Sequence, residues 1–271
     1  MSRDERRLGR TRDAVFLGYH ALVENGPAFL SMSPAVFERQ LEFLGGKGYR
    51  SGSRADLEAL AAGRRLGGRH AFLTFDDGFL DTYEVARPLL AARGFTGFVF
   101  VLPRHLDHGA ALDWPEVAGE VRRHPEVMCS MTWKMAEELA GAGWEVGSHT
   151  LTHPKLPELS DGELASELGE SRQIVAERLG RCDTLAYPFG AWDERVERAA
   201  AAAGYRFAFT LPIESQPSAG PLSIPRLTID DRDTVARYRA KISLPGRLAL
   251  FSQLRPLVRR LRRHEVYSNA G

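Results

Sequence analysis

The chain contains only two cysteines among its 271 residues, so it can form one disulfide at most and no Cys-x-x-Cys metal knuckle. It has no apolar stretch long enough to span a bilayer. The residues before the first apolar run also lack the hydrophobic segment of a secretory leader. Lysine plus arginine (36) nearly balances aspartate plus glutamate (35), so the charge gives no general attraction to nucleic acid. These absences favour an ordinary globular protein, which we expect to be cytoplasmic.

Short apolar runs alternate with amphipathic stretches along most of the chain, and this alternation predicts the fold class. We predict strands over residues 14–19, 70–75, 96–102, 144–148, 184–187, 207–210 and 223–229. We predict helices that begin at Ser33-Pro34 and end near Gly45-Gly46, near residues 57–60, and over 83–92, 135–142, 161–179 and 193–203. Each apolar strand needs helices to cover it, so the order predicts an α/β protein with a parallel sheet or barrel.

Two stretches depart from this alternation. Residues 103–131 form a long connection, and connections of that length are functional or mobile. From residue 244 onwards the chain is rich in arginine, interleaved with apolar residues at helical spacing. We therefore divide the chain into a polar segment (1–13), an α/β domain (14–243) and a basic amphipathic tail (244–271). Such a tail packs on its own domain or makes peripheral contact with an anionic membrane.

Two adjacent carboxylates, Asp76 and Asp77, follow the strand predicted at 70–75. Consecutive residues at a strand end point in different directions. One carboxylate can therefore bind a cation while the other accepts a proton. Because an Asp-Gly pair is also common in turns, this motif alone does not identify a catalytic site.

Two histidines, His149 and His153, follow another predicted strand, and serine and threonine neighbours can hold their rings by hydrogen bonds. In α/β barrels the loops after the strands meet at one end of the molecule. The histidines and one aspartate therefore predict a metal site. Two imidazoles and a carboxylate suit Zn²⁺, our first choice, but also Fe²⁺, Co²⁺ or Ni²⁺.

The sequences TFDDG at 74–78 and HTLTHP at 149–154 resemble the first two motifs of the polysaccharide deacetylase family, the NodB-homology domain of the carbohydrate esterase type. The resemblance covers about residues 14–230. It implies a distorted (β/α) barrel that removes N-acetyl groups from an amino sugar or glycan, with a water activated by the metal as nucleophile. It also implies that Asp76 is the general base and that Asp77, His149 and His153 bind the metal.

The family's third motif, Arg-x-Pro-Tyr, is altered to AYPF at 186–189. We expect the backbone N–H of Phe189 to bind the oxyanion of the tetrahedral intermediate, and Tyr187 and Pro188 to contact substrate. The arginine that orients the base is absent from this motif. Arg226, which lies in another predicted strand segment, is our candidate replacement, with an ordinary surface arginine as the equal alternative.

The family's Leu-x-His motif, which supplies the general acid, is also missing from its usual place. His20 ends the first predicted strand, on the same side of the sheet as the other motifs. A branch of the family that resembles the poly-N-acetylglucosamine deacetylases has such an N-terminal histidine. We therefore predict that His20 protonates the departing amine, a structural histidine being the alternative. Trp133 matches an aromatic position near the site in many relatives, and we add it to the substrate-binding candidates.

Three functions remain open on this basis. The first is N-deacetylation of a carbohydrate. The second is hydrolysis of another amide or ester, such as a formamide or an acetyl ester, because the same metal and water serve these reactions. The third is a non-catalytic sugar-binding barrel. The intact first two motifs argue against the third function, whereas the two altered motifs keep it open.

Overall fold

The computed structural model describes residues 14–27, 29–107, 109–211 and 220–243. The predicted polar segment (1–13) and the basic tail (244–271) both lie outside the described residues. The predicted membrane contact of that tail therefore stays a prediction. Within the described part of the chain, no helix is long and apolar enough to cross a membrane. Cys129 and Cys182 are both free thiols.

Strands form the centre of the molecule, and every strand pairing is parallel. They are β1 (Ala14–Tyr19), β2 (Tyr49–Ser51), β3 (Arg69–Phe75), β4 (Phe98–Val101), β5 (Glu145–Ser148), β6 (Thr184–Ala186), β7 (Phe207–Thr210), β8 (Ile224–Pro225) and β9 (Leu227–Thr228). Their order is β8-β7-β6-β5-β4-β3-β1-β9, with β2 beside β3. The sheet forms a nearly closed barrel, which confirms the predicted fold class.

Helices cover the outside of this barrel. They are α1 (Pro34–Gly46), α2 (Arg54–Ala61), α3 (Arg87–Ala91), α4 (Ala118–Arg123), α5 (Trp133–Gly141), α6 (Asp161–Leu179), α7 (Glu194–Ala203) and α8 (Val235–Ile242). The predicted helix at 161–179 has the bounds of α6, whereas α8 and the short strand β2 were not predicted. Ser33 precedes α1 as expected, but its side chain makes no capping hydrogen bond and donates to Glu24 instead.

Successive residues of a strand point to opposite faces of the sheet, and this alternation separates two buried clusters. On β1, Phe16 belongs to one cluster and Leu17 to the main core, which packs under the helices. The ring of Phe16 stacks 4.5 Å from Phe72 and lies 6.1 Å from Phe209 on β7. Because β1 and β7 are not neighbours in the sheet, their rings meet inside the barrel.

The barrel is closed by one short stretch, residues 224–228. Ile224 pairs with β7, whereas Leu227 pairs with β1, so the chain changes partner at Arg226. The prediction of one continuous strand at 223–229 was therefore wrong. Pro225 has no N–H to contribute to a strand ladder, which favours such an interruption. The backbone N–H of Arg226 donates to Thr210 O at 2.9 Å, which keeps this residue at the seam.

Two further predictions need correction. The helix predicted at 83–92 begins as a π-helical turn, Thr82–Ala86, before it continues as α3. Pro88 lacks the N–H of the normal helical bond, and its ring crowds the carbonyl four residues before it, which favours this wider turn. The strand predicted at 96–102 is shorter than expected and begins at Phe98.

The long connection predicted at 103–131 is folded rather than extended. It contains the short helical turns Pro103–His105 and Pro115–Val117 as well as α4. Within this connection, Cys129 forms an isolated antiparallel β-bridge with Ala111. Ser130 forms another with Phe79, which lies beyond the end of β3. The connection therefore packs against the end of the barrel where the predicted site lies.

Candidate metal centre

The two carboxylates after β3 point in different directions because the backbone turns sharply between them. The N–H of Asp76 still bonds to Tyr19 O on β1 at 3.0 Å. Asp77 then has φ +68° and Gly78 φ +71°, both in the left-handed region. A Cβ atom at Gly78 would lie 3.2 Å from the Val101 side chain, so glycine suits both this conformation and this contact. The turn directs the two carboxylates to different partners.

His149 directly follows β5, and its backbone N–H bonds to Val101 O at 2.8 Å. Its Nδ1 lies 2.8 Å from the carbonyl oxygen of Ala186. A carbonyl oxygen can only accept, so the proton of the neutral ring is on Nδ1. Nε2 then presents its lone pair to Asp77, as in histidines that bind metals.

Asp77, His149 and His153 form a buried group whose ligand atoms all lie within 4.8 Å of one another. Oδ1 of Asp77 is 3.2 Å from His149 Nε2 and 3.5 Å from His153 Nε2. This oxygen is buried without a hydrogen-bond partner among the described residues. Acceptor atoms that converge without a proton between them fit a cation, and two nitrogens with one oxygen suit zinc.

Asp76, directly before Asp77 in the chain, forms a buried ion pair with Arg226. Its two oxygens accept bonds from Arg226 Nη1 at 2.6 Å and Nη2 at 2.7 Å. Nη1 also donates to the hydroxyl of Thr74 at 2.8 Å. Arg226 is completely buried, and its guanidinium lies 5.7 Å and 5.8 Å from the ring centres of Phe100 and Phe209. Arg226 is therefore not a surface arginine.

These contacts determine the charge of Asp76. Burial alone would raise the pKa of its carboxyl group, but Arg226, with smaller contributions from His149 and His20, holds that pKa well below its ordinary value. The carboxylate is consequently an anion at neutral pH, in a fixed orientation. A buried carboxylate of this kind, next to a candidate metal site, is placed to accept a proton.

The two histidines of the group differ in pKa. Burial lowers the pKa of His153 to about 3, so its ring is neutral at pH 7. Burial also opposes the charged form of His149, but the neighbouring carboxylates of Asp77 and Asp76 outweigh it and raise that pKa.

His20 lies where the sequence predicted it, beside the carboxylate of Asp76. Its Nε2 is 4.0 Å from Asp76 Oδ2, and 16% of its side chain is exposed. Its Nδ1 is buried and has no hydrogen-bond partner within the described ranges. The structure thus brings together two residues that are 56 positions apart in sequence, and His20 is the more exposed of the two.

The altered third motif forms a tight turn after β6. Phe189 has φ +57°, and the turn is held by bonds from Gly190 N to Tyr187 O and from Ala191 N to Pro188 O. The N–H of Phe189 is in neither bond. The Phe189 ring lies 4.6 Å from the ring of His153. The turn, with Pro188 at its start, therefore borders the metal centre.

Two residues assigned to substrate binding occupy the core instead. The ring of Tyr187 is completely buried, and its hydroxyl donates to Leu222 O at 2.9 Å. Trp133 begins α5, is 6% exposed and packs in the main core, with the Arg178 guanidinium 5.4 Å from its ring centre. Neither side chain packs in the cluster beside the metal centre, so their placement does not favour a role in substrate binding.

Trp114 is the aromatic residue that contacts the centre instead. Its ring lies 4.1 Å from the ring of His153 at an angle of 30°, so the imidazole is packed between Trp114 and Phe189. The only sequence signal of Trp114 is its position in the long connection, which does not reveal where that connection folds back.

Comparisons with known proteins agree with this geometry. The profile of the family described as "Polysaccharide deacetylase" matches residues 63–208, which include both aspartates and both histidines. YxkH of Bacillus subtilis (strain 168), which carries the name of a polysaccharide deacetylase, is 24% identical over 196 residues. That match covers 72% of this chain and 63% of the relative, so the chain spans less than two thirds of the relative's length.

Solved structures show the same fold. Streptococcus pyogenes deacetylase PplD, in complex with acetate, superposes with a TM-score of 0.70 at 22% identity, covering 85% of this chain and 97% of that protein. IcaB from Ammonifex degensii gives 0.68 at 22% identity, covering 90% and 98%. The profile match extends over more than half of the 271 residues and contains the whole buried Asp-His-His group. The chain therefore belongs to the polysaccharide deacetylase family.

Proposed function

We propose that this protein is a metal-dependent N-deacetylase that hydrolyses N-acetyl groups on an amino sugar or an N-acetylated glycan. One observation carries the proposal. The Asp77–His149–His153 group lies directly beside a second carboxylate, Asp76, whose charge and orientation are fixed by Arg226. A cation site and a buried base in contact are the two parts that metal-assisted hydrolysis requires.

Asp77, His149 and His153 would hold the metal, with zinc as the first choice and Co²⁺, Ni²⁺ or Fe²⁺ as alternatives. When bound, such a metal supplies a Lewis acid that polarises the acyl carbonyl and lowers the pKa of water. The three residues contribute one negative charge in total, which leaves a divalent ion with net positive charge for this task. All three side chains are buried.

The other residues then share the proton transfers. Asp76 accepts a proton from the water that attacks the acyl carbon, and the N–H of Phe189 donates to the oxyanion that forms. The C–N bond breaks as protonated His20 donates its proton to the leaving amine. Acetate and the free amine are the products. His20 suits this role because it is half-buried and lies 4.0 Å from the base.

Removal of the metal tests the proposal directly. The purified protein, stripped with a chelator, should release no acetate from N-acetylglucosamine oligomers. Zn²⁺, Co²⁺ or Ni²⁺ added back should restore release, because each suits two imidazoles and a carboxylate. Acetate release and metal content are measured on the same samples. Asp77→Asn should lose both metal and activity, since the anionic ligand is removed.

Assays of several substrate classes side by side distinguish this proposal from the two alternative functions. Release from acetyl esters or formamides without release from N-acetylated sugars would replace the proposed substrate class with the other amide or ester class. A protein that retains its metal, binds sugars and releases no acyl group from any substrate would contradict an enzymatic function. Free, oligomeric and lipid-linked N-acetylated sugars should be compared, because the family alone does not select among them.

Replacement of the proposed acid has a specific consequence. His20→Asn should lower kcat on an N-acetylated sugar by about 10²- to 10⁴-fold, the usual contribution of general acid catalysis. An aryl acetate, whose leaving group needs no proton, should lose far less activity. Metal content should stay unchanged, because His20 is not among the three metal-binding residues. Steady-state rates on both substrates give the comparison.

His124→Asn is a matched control, because His124 lies in the long connection and its partner is Glu120, 3.9 Å away. It should leave both rates unchanged. Equal losses on the sugar and on the aryl acetate in His20→Asn would contradict proton donation to the leaving group. Such a result would assign His20 a structural role.

A further inference from the structure

The loop between the two metal-binding histidines has an unusual backbone. Thr150 has φ +71° and His153 φ +61°, and neither residue is a glycine. Residues other than glycine rarely adopt this left-handed conformation, because their Cβ atoms crowd the backbone. Two such residues among the first five after β5 do not hold this shape by local preference. Contacts from elsewhere must stabilise the loop.

Side chains bind every backbone N–H of residues 150–153. Thr150 N donates to Ser148 Oγ at 3.0 Å, and His153 N donates to Thr150 Oγ1 at 3.2 Å. The two remaining N–H groups, of Leu151 and Thr152, are bound by a side chain of helix α6. The loop is therefore fixed locally at both ends and from a helix at its centre.

Glu167 on α6 makes the central contacts. Its Oε2 accepts bonds from Leu151 N at 2.8 Å and Thr152 N at 3.1 Å. Its Oε1 accepts a bond from the Thr152 hydroxyl at 2.6 Å. One carboxylate thus takes three hydrogen bonds from two adjacent residues. Bonds to an ionised acceptor are stronger than those between neutral groups.

α6 is itself firmly joined to the strand that carries the loop. The hydroxyl of Ser171 on α6 accepts a bond from Ser148 Oγ at 2.9 Å and lies 3.1 Å from the hydroxyl of Tyr205. Both serines are fully buried. Glu167 therefore acts from a helix whose position relative to β5 is fixed, and so holds the loop at a defined distance.

We propose that Glu167 is a positioning residue for the metal centre: it clamps the loop at Leu151 and Thr152 so that His149 and His153 converge on one ion. The proposal rests on the proposed metal-dependent function. Glu167 contacts neither histidine side chain in the described structure, so it acts only through the backbone. Outer contacts of this kind typically change metal affinity by about 10- to 100-fold when they are lost.

Zinc affinity tests the clamp, measured by competition with a chromophoric chelator. Glu167→Ala removes all three acceptors and should raise the Kd for zinc by about 10- to 100-fold. Glu167→Gln keeps one carbonyl oxygen for the two N–H groups and should recover most of the affinity. Glu167→Asp keeps the charge but is one methylene shorter, so it should resemble Glu167→Ala. The shorter variant also serves if Glu167→Ala does not fold.

Two readouts distinguish positioning from general stability. In the metal-free protein, the amides of the peptide that contains residues 149–153 should exchange with deuterium faster in Glu167→Ala. With Co²⁺ bound, the visible absorption of that variant should change, because the spectrum reports ligand geometry. Glu170→Ala is the matched control, since Glu170 lies one turn further along α6 and contacts only Arg104 and Ser166 among the described residues. It should change neither readout.

The outcomes separate the two proposals. An unaltered protein that binds no divalent metal would overturn the metal-dependent function itself. An unaltered protein that binds zinc, together with Glu167→Ala and Glu167→Asp variants that match its affinity and its Co²⁺ spectrum, would overturn the clamp alone. If Glu167→Ala lost no more zinc affinity than the control Glu170→Ala, the proposed positioning role of Glu167 would also be wrong.

Discussion

Arg226→Met is expected to lower kcat on an N-acetylated sugar by about 100-fold or more, the scale of general base catalysis, while the metal content stays unchanged. In this variant Asp76 keeps its burial but loses both guanidinium bonds. Burial then dominates and raises the pKa of the carboxyl group, so Asp76 holds a proton and cannot accept another. The acidic limb of the pH–rate profile should therefore move to higher pH.

The same substitution should destabilise the fold. Breaking a buried ion pair by removing one partner costs about 3–5 kcal/mol, because the remaining group must either stay charged without a partner or take up a proton. Arg206→Met is a suitable control, since Arg206 forms an ion pair with Glu58 in which the side chains are 52% and 34% exposed. Such pairs contribute only about 0–1 kcal/mol. Urea unfolding of both variants gives the comparison.

Two further variants of this pair distinguish orientation from charge. Arg226→Lys keeps the cation but not the two parallel bonds, so it should recover stability more than turnover. The double change Asp76→Asn with Arg226→Met should regain part of the lost stability and no activity. Turnover in Arg226→Met close to that of the unaltered protein would remove Arg226 from the mechanism.

The second large effect concerns Asp81, a carboxyl group that the catalytic proposal does not use. Asp81 is 7% exposed, and its Oδ1 accepts a bond from Leu22 N at 2.8 Å. Burial, against the effect of this bond, raises its pKa from 3.8 to about 7. Leu22 lies two residues after His20, so Asp81 also tethers the segment that carries the proposed acid.

The sign of the pH effect follows from these values. Below about pH 4, Asp81 is protonated in both the folded and the unfolded chain, so its ionisation does not change the free energy of unfolding. Between about pH 4 and pH 7, the unfolded chain releases this proton while the folded chain retains it, so stability falls as pH rises. Above about pH 7 the destabilisation of the fold by Asp81 is constant. A change in pKa from 3.8 to about 7 corresponds to about 4 kcal/mol.

Asp81→Asn should therefore stabilise the protein by up to about 4 kcal/mol at pH 8 and by almost nothing at pH 4. Asparagine keeps the carbonyl oxygen for Leu22 N but carries no ionisable proton. The free energy of unfolding in urea, measured across this pH range, provides the test. Asp231→Asn, at an exposed position, should stay within about 0.5 kcal/mol throughout. A destabilised Asp81→Asn variant at pH 8 would contradict the assignment.

Sequence patterns predicted the parts of the fold that depend on local periodicity. The bounds of β1 and α6 matched the expectation, because each has a clear apolar pattern and α6 has a capping box at Ser160. The interruption at Arg226 could not be predicted in this way. It depends on which strands close the barrel, and residues 223–229 do not show by themselves that they pair with two different strands.

In the candidate site, too, local sequence patterns predicted some residues, whereas others depend on the tertiary structure. The metal-binding residues follow strands, and the ends of parallel strands meet, so the spacing predicted a site of two histidines and one aspartate. The choice of Asp77 over Asp76 as the metal ligand came from the family resemblance. Glu167 was not found, because a glutamate on an amphipathic helix usually faces solvent and its partners are backbone N–H groups. Tyr187 was predicted to contact substrate but is completely buried. The contact between Trp114 and His153 depends on how the long connection folds back over the barrel, which the sequence does not show.

The seam at residues 224–228 links catalysis to the order in which the chain is made. Arg226 is synthesised 150 residues after Asp76. During translation the carboxylate therefore exists for most of the domain's synthesis without its cation, and must stay hydrated or protonated. Contacts of such long sequence separation form slowly, because they close a large loop. Closure of the barrel and formation of the buried ion pair both require residues 224–228, so a nascent chain cannot orient its base before this seam has been synthesised.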